Sequence, residues 1–83
     1  MRYYVYLVKC SDDSYYCGYT TNLKKRVDDH NNSKAGAKYT KSRRPVKLVY
    51  FEQVKNTSEA LKREDEIKKL SRKDKVKLVA IQK

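Results

Sequence analysis

The chain has no tryptophan and a single phenylalanine among its 83 residues, so no core of large, purely apolar aromatics can be built. It also lacks any apolar run near the length of a signal-peptide core or a membrane-spanning helix, which points to the cytoplasm and away from membranes. Cysteine is scarce: with Cys10 and Cys17 in hand, a four-ligand zinc site needs two more ligands and only His30 is available. Acidic residues number 10 against 21 lysines and arginines, a formal charge of +11. That imbalance is the usual footprint of a polyanion binder, with nucleic acid as the expected partner and a merely solubilising basic surface as the bland alternative. No helical segment joins a basic face to exposed tryptophan, phenylalanine or leucine, which argues against a membrane-surface role. Internal repeats, linkers and low-complexity stretches are absent, and the length suits one domain over residues 1–83, working as a monomer. A chain this short buries only about 60% of the surface of its unfolded form, so the core is expected to be thin.

Tyrosine fills the aromatic gap. Six of the eight tyrosines fall within the first nineteen positions, in Tyr3-Tyr4-Val5-Tyr6 and Tyr15-Tyr16-Cys17-Gly18-Tyr19. Each buries a large ring but brings a hydroxyl that needs a partner. Residues 2–10 and 15–20 are β-rich and Ser11-Asp12-Asp13-Ser14 is turn chemistry, so they predict a hairpin. A three-residue loop at Asp12 to Ser14 would set Cys10 opposite Tyr16. Alternation then gives one face to Tyr4, Tyr6, Val8, Tyr16 and Gly18 and the other to Val5, Leu7, Tyr15, Cys17 and Tyr19. Cys10 and Cys17 point to opposite sides in this register, so no disulfide is expected.

Thr20-Thr21-Asn22 is a capping cluster for a short helix over Leu23 to His30, ending near Asn31-Asn32. Leu23, Arg26, Val27 and His30 share one arc of about 100°, so the packing face contains an arginine, while Lys24 and Lys25 face solvent. Residues 34–44 carry five basic side chains and no acidic ones, a loop or single helical turn long enough to suggest function. After Pro45, residues 46–54 predict a third strand, apolar on both faces and therefore covered on both sides. Asn56-Thr57-Ser58-Glu59 caps a helix to about Leu70, and Ser71-Arg72-Lys73-Asp74 starts a last one through Ile81. The expected fold is α/β (α+β), a three-stranded antiparallel sheet flanked by helices in the order β-β-α-β-α-α. In the penultimate helix Arg63 and Lys69 are placed to pair with Glu59 and Asp65. Glu64 falls inside the apolar stripe of Ala60, Leu61 and Ile67.

Three inward-facing polar features result: the tyrosine pair on one sheet face, Arg26, and Glu64. An unpartnered buried polar group costs roughly 2–7 kcal/mol, so three in a thin core call for a joint use. Phosphodiester hydrolysis offers one: a carboxylate to hold a metal, a cation for the charge growing on phosphoryl oxygens, and a group that takes a proton from the attacking water. The bland readings stand beside it, since Glu64 could pair with Lys68 and Arg26 with Asp29.

Tyr4-Val5-Tyr6, ten residues before Tyr16-Cys17-Gly18, resembles the paired tripeptides of the GIY-YIG nuclease superfamily. The likeness extends to Thr21-Asn22-Leu23-Lys24-Lys25-Arg26 and to Arg63-Glu64-Asp65-Glu66-Ile67-Lys68, and spans about residues 3–70. This is the pattern of the small stand-alone bacterial members. The resemblance implies a GIY-YIG endonuclease-like fold and a metal-dependent nuclease acting on nucleic acid, DNA first, in repair or processing. It assigns Tyr6 as general base, Tyr16 to positioning water or phosphate, Arg26 to the phosphate, His30 to the vicinity of the reaction, and Glu64 to one Mg²⁺ or Mn²⁺. Lys34, Lys38, Tyr39, Lys41, Arg43 and Arg44 are the expected nucleic-acid contacts. Two positions depart from the pattern: Tyr4 stands for its first glycine, where it is expected to crowd the substrate face, and Cys17 for its isoleucine. A free tyrosine titrates near 10, so either nearby positive charge lowers Tyr6 or Tyr6 orients a water that the metal acidifies. The alternative is a basic nucleic-acid-binding module of the same fold that cuts little without a protein partner. A third reading is an adaptor with no nucleic-acid role.

Overall fold

In the computed structural model, residues 2–33 and 38–81 are described. The chain runs β1 (Tyr3–Lys9), β2 (Tyr15–Thr20), α1 (Leu23–Asn32), α2 (Lys38–Lys41), β3 (Lys47–Val54), α3 (Thr57–Lys68) and α4 (Arg72–Ile81). The order is the expected one, with α2 as a single turn inside the basic segment. The strands form one antiparallel sheet in the order β2-β1-β3, so the tyrosine-rich first strand is its centre.

The hairpin loop is one step earlier than the sequence suggested. It is Ser11-Asp12-Asp13, and Val8 rather than Cys10 faces Tyr16. Turn chemistry accounts for the difference. The Asp12 carboxylate accepts from the Ser14 amide and hydroxyl, Asp13 takes the left-handed backbone conformation at φ 68°, and Cys10 N–H donates to the Ser14 carbonyl at 2.8 Å. The register therefore moves by two residues. Because side chains alternate with period two, an even shift leaves every residue on its expected face. Cys10 and Cys17 are both free thiols, buried in different clusters on opposite sides of the sheet.

Those two faces organise the molecule. On one, Val5, Leu7, Cys17 and Tyr50 pack with Ala60 and Ile67 of α3 and Val79 of α4. On the other, Tyr6, Val8 and Cys10 pack with Val46, with Leu23 and Val27 of α1 against them. Removing apolar surface from water is the main driving force here, and splitting it over two small clusters leaves each one thin. The third strand does not gain the two-sided cover its composition suggested. It is an edge strand whose Phe51 is 41% exposed, resting edge-on against Tyr4 at 6.2 Å between centroids. A bulge opposite Leu7 and Val8 interrupts its ladder.

The helix ends follow their local chemistry. Asn22 and Asn56 cap α1 and α3 by accepting from the amides of Lys25 and Glu59, and the Ser71 hydroxyl accepts from the Asp74 amide. Lys69 pairs with Asp65 at 2.9 Å as expected. Arg63 does not reach Glu59. It crosses to Glu52 on β3 at 2.7 Å, and Glu59 instead accepts from the Lys55 amide, because the cap draws that carboxylate to the helix start.

The Asn31 side chain ties α1 to the chain entering β3. Its amide donates to the Val46 carbonyl at 3.0 Å and accepts from the Val46 amide at 2.6 Å. Asn31→Ala is expected to lower the unfolding free energy by about 1–3 kcal/mol in urea titration, since both groups of a buried residue lose their partner.

Candidate active site

Tyr6 is the centre of the site. On the middle strand it faces Gly18 of β2, and its ring lies across that glycine. A Cβ at position 18 would fall 2.6 Å from the Tyr6 hydroxyl and 2.9 Å from Cζ. The ring cannot swing aside, because it is only 1% exposed and its hydroxyl is held at the far end. Glycine is needed here for close approach rather than for backbone freedom.

That hydroxyl lies 2.7 Å from His30 Nε2 and is also hydrogen-bonded by the Arg26 guanidinium. Both helical residues arrive from one face of α1, one turn apart, as the arc of Leu23, Arg26, Val27 and His30 requires. His30 is fully buried, and its other nitrogen, Nδ1, lies 2.9 Å from the hydroxyl of Thr40 in α2. Tyr16 presents its ring edge to His30 at 5.3 Å and stacks on Tyr39 at 5.9 Å, with the Arg43 guanidinium 4.0 Å from the Tyr39 centroid. The result is a packed layer of Tyr6, His30, Tyr16, Tyr39 and Arg43.

Burial governs the titration of this layer. It pushes the Tyr6 hydroxyl up to about 12, against the opposing pull of Arg26. It pulls His30 down to about 4, helped by the positive charge of Arg26 and Arg44 and opposed by Asp29. At neutral pH the pair is therefore a phenol and a neutral imidazole. The hydroxyls of Tyr6 and Thr40 each meet one ring nitrogen of His30, and which nitrogen donates and which accepts is set by the tautomer of the neutral imidazole.

Glu64 approaches from the opposite layer. Its backbone carbonyl lies 3.9 Å from Cys17 Sγ over β2, and its carboxylate, 18% exposed, pairs with Lys68 at 3.0 Å. That ion pair raises Lys68, and Tyr16 and Cys17 add to the rise. The two layers thus face each other around β2, a strand at the edge of the sheet. Among the described residues no group of three or more His, Cys, Asp or Glu side chains is arranged to hold a metal, which leaves Glu64 as a single carboxylate. A cavity of about 510 Å³ lies elsewhere, on the flank of α1 formed by Asn22, Lys24, Val27, Asp28 and Asn31, and includes none of Tyr6, Tyr16, Arg26 or Glu64.

The basic segment divides by role. Lys38 and Lys41 are exposed. Arg43 pairs with Asp12 at 3.0 Å and donates to the Tyr39 carbonyl, which fastens α2 to the hairpin loop. Arg44 donates to the carbonyls of Asp29, His30 and Ser33 and so closes the C-terminal end of α1. Tyr39 stacks on Tyr16 and carries the Arg43 guanidinium over its ring, yet remains 40% exposed. Lys34 lies outside the described residues. Sequence reasoning offered Lys68 as a partner of Glu64, a pairing the structure shows, but missed Thr40 as a neighbour of the site. Helical spacing marks Lys68 as the i+4 partner of Glu64, whereas nothing local distinguishes Thr40 in Lys38-Tyr39-Thr40-Lys41.

The buried neutral imidazole has a consequence for stability. The unfolded chain, titrating near 6.5, binds a proton that the folded state refuses until about pH 4, so stability falls as pH drops through that window. Urea midpoints should decline from pH 7 to pH 4.5, and His30→Gln should remove that part of the slope.

The fold has close counterparts. Residues 2–77 match the model of the GIY-YIG catalytic domain. A UPF0213 protein of Syntrophus aciditrophicus is 57% identical over 92% of this chain and 87% of its own length, and one of Staphylococcus haemolyticus is 56% identical over 94% of each. The solution NMR structure of a UPF0213 protein from Bacillus halodurans, 43% identical, superposes with a TM-score of 0.61 over 98% of this chain and 85% of that one. A second NMR structure, of an E. faecalis protein 45% identical, gives 0.62 over 90% and 79%. With its central Tyr6, its α1 arginine and this extent of likeness, the chain belongs to the GIY-YIG family, among the small bacterial UPF0213 proteins.

Proposed function

We propose that the protein is a divalent-metal-dependent nuclease that hydrolyses phosphodiester bonds in nucleic acid, DNA first, in DNA repair or processing. The observation that carries this reading is the Tyr6 hydroxyl, held between a guanidinium and a ring nitrogen of a neutral imidazole. A purely structural tyrosine needs one partner. This one has a cation suited to a phosphate on one side and a proton acceptor on the other.

The chemistry follows from those atoms. A water beside Tyr6 passes a proton to the phenol oxygen as the phenol proton moves to His30 Nε2. The water oxygen bonds to phosphorus, the bond to the leaving oxygen breaks, and that oxygen is protonated by solvent. Charge growing on the non-bridging oxygens faces Arg26. Tyr16, with its ring fixed by His30 and Tyr39, orients the water or the phosphate. In the resting site the proton stays on Tyr6, since His30 is a weak base there. A phosphate next to Arg26 offsets one of the charges that weaken His30, so substrate itself strengthens the base.

Glu64 would hold the ion. A lone, partly exposed carboxylate suits Mg²⁺ or Mn²⁺, since Mg²⁺ keeps several waters and draws further ligands from substrate phosphate. When bound, the ion supplies Lewis-acid stabilisation and acidifies a water. Lys38 and Lys41 reach the backbone of the nucleic acid, while Arg43 and Arg44 shape the segment that carries them.

One observation favours a second reading, a binding module that cuts little without a protein partner: Lys68 occupies the Glu64 carboxylate. Metal dependence separates the two. With Mg²⁺, wild-type protein should cut DNA, and Tyr6→Phe, Arg26→Ala and Glu64→Ala should each slow cleavage by about 10²–10⁴-fold. DNA left intact by pure wild-type protein supports the module instead, and activity surviving all three changes belongs to another site. Separately, Lys38→Ala with Lys41→Ala should weaken binding evenly across sequences and reduce the slope of log affinity against log salt by about 1.8 for duplex DNA, measured by fluorescence anisotropy.

A further inference from the structure

From the geometry we infer that Thr40 is a positioning residue for this chemistry: its hydroxyl, by accepting from Nδ1–H, holds His30 in the tautomer whose Nε2 lone pair faces the Tyr6 hydroxyl. The inference rests on the nuclease reading and adds a residue to it. Neutral imidazole can carry its proton on either nitrogen, and which one is set by the hydrogen bond the other makes. If Nε2 carried it, that N–H would point at the Tyr6 oxygen. Arg26 already donates to that oxygen, and the phenol proton would then lack an acceptor among the described residues. Such a site could not pass a proton from Tyr6 to His30.

Thr40 is well placed to enforce the choice. It is fully buried although the residues beside it in α2 are exposed, and its oxygen lies 2.9 Å from Nδ1. Two neighbours fix it there. Tyr39 stacks on Tyr16, and Arg43 ties the same turn to Asp12 of the hairpin loop. The turn that offers Lys38 and Lys41 to solvent is thus the one that sets the proton on His30. Engagement of a phosphate backbone and orientation of the base are joined through a single turn of helix. Arg26, Asp29 and Arg44 act on the charge of His30, whereas Thr40 acts on where its proton sits.

Ring-nitrogen NMR on ¹⁵N-histidine-labelled protein at pH 7, without metal or DNA, reads the tautomer directly, and His30 is the chain's one histidine. Wild type and Thr40→Ser are expected to show the Nδ1–H form. The near-isosteric Thr40→Val should populate Nε2–H and lower kcat for Mg²⁺-dependent cleavage by about 10–100-fold with KM kept, and Thr40→Ser should restore it. An Nε2–H tautomer in wild type overturns the assignment even if Thr40→Val fails to fold. So does a folded Thr40→Val protein with tautomer and kcat unchanged. A wild-type protein that shows the Nδ1–H form and cuts nothing counts instead against the nuclease reading, which keeps the two failures apart.

Discussion

The structure depends on one polar contact inside an apolar layer, the Tyr6 hydroxyl enclosed by Arg26 and His30. A hydroxyl taken out of water without a partner costs several kcal/mol, and a thin core has little to set against such a loss. Each element around Tyr6 is accordingly bound by what that hydroxyl needs. The second strand must carry glycine at position 18 so that the ring can lie across it. The first helix must turn Arg26 and His30 to the same side, and the basic segment must bring a hydroxyl to Nδ1. Among the described residues no buried side-chain nitrogen or oxygen lacks a partner, so the layer is fully satisfied at rest.

Full satisfaction bears on function. The same burial that makes Tyr6 hard to ionise makes His30 hard to protonate, so the resting pair stores no charge. An anion next to Arg26 would offset a charge that weakens His30 as a base and that also eases ionisation of Tyr6, so it favours a protonated imidazole beside a neutral phenol. Glu64 obeys a similar logic, since its charge is balanced by Lys68 until something more strongly positive competes for it.

The sheet also sets how far apart the parts of the site begin. Tyr6, Tyr16, Arg26 and His30 belong to one face, and Glu64 to the helix on the other. A central strand would keep those sides separate. The second strand is at the edge, with Tyr16 turned to one layer and Cys17 to the other, where its thiol meets the Glu64 carbonyl.

Much of this was readable from local patterns. Alternation in the two tyrosine-rich strands put Tyr6, Tyr16 and Gly18 on one face, and the 3.6-residue period put Arg26 and His30 together, because both repeats act between near neighbours in the chain. Capping residues marked the helix starts within a residue or two for the same reason. What the sequence could not set was anything decided between distant segments. The hairpin register came from the Asp12–Ser14 turn, Arg63 left its helix neighbour for Glu52 on β3, and Arg43 and Arg44 turned from solvent to Asp12 and to the end of α1. The partner that fixes the proton of His30 lies ten residues on, in a segment with no periodic pattern. Local repeats determine which way a side chain points. Only the packed chain determines what it meets there, because those encounters depend on the summed geometry of the sheet, the turns and the helices between them.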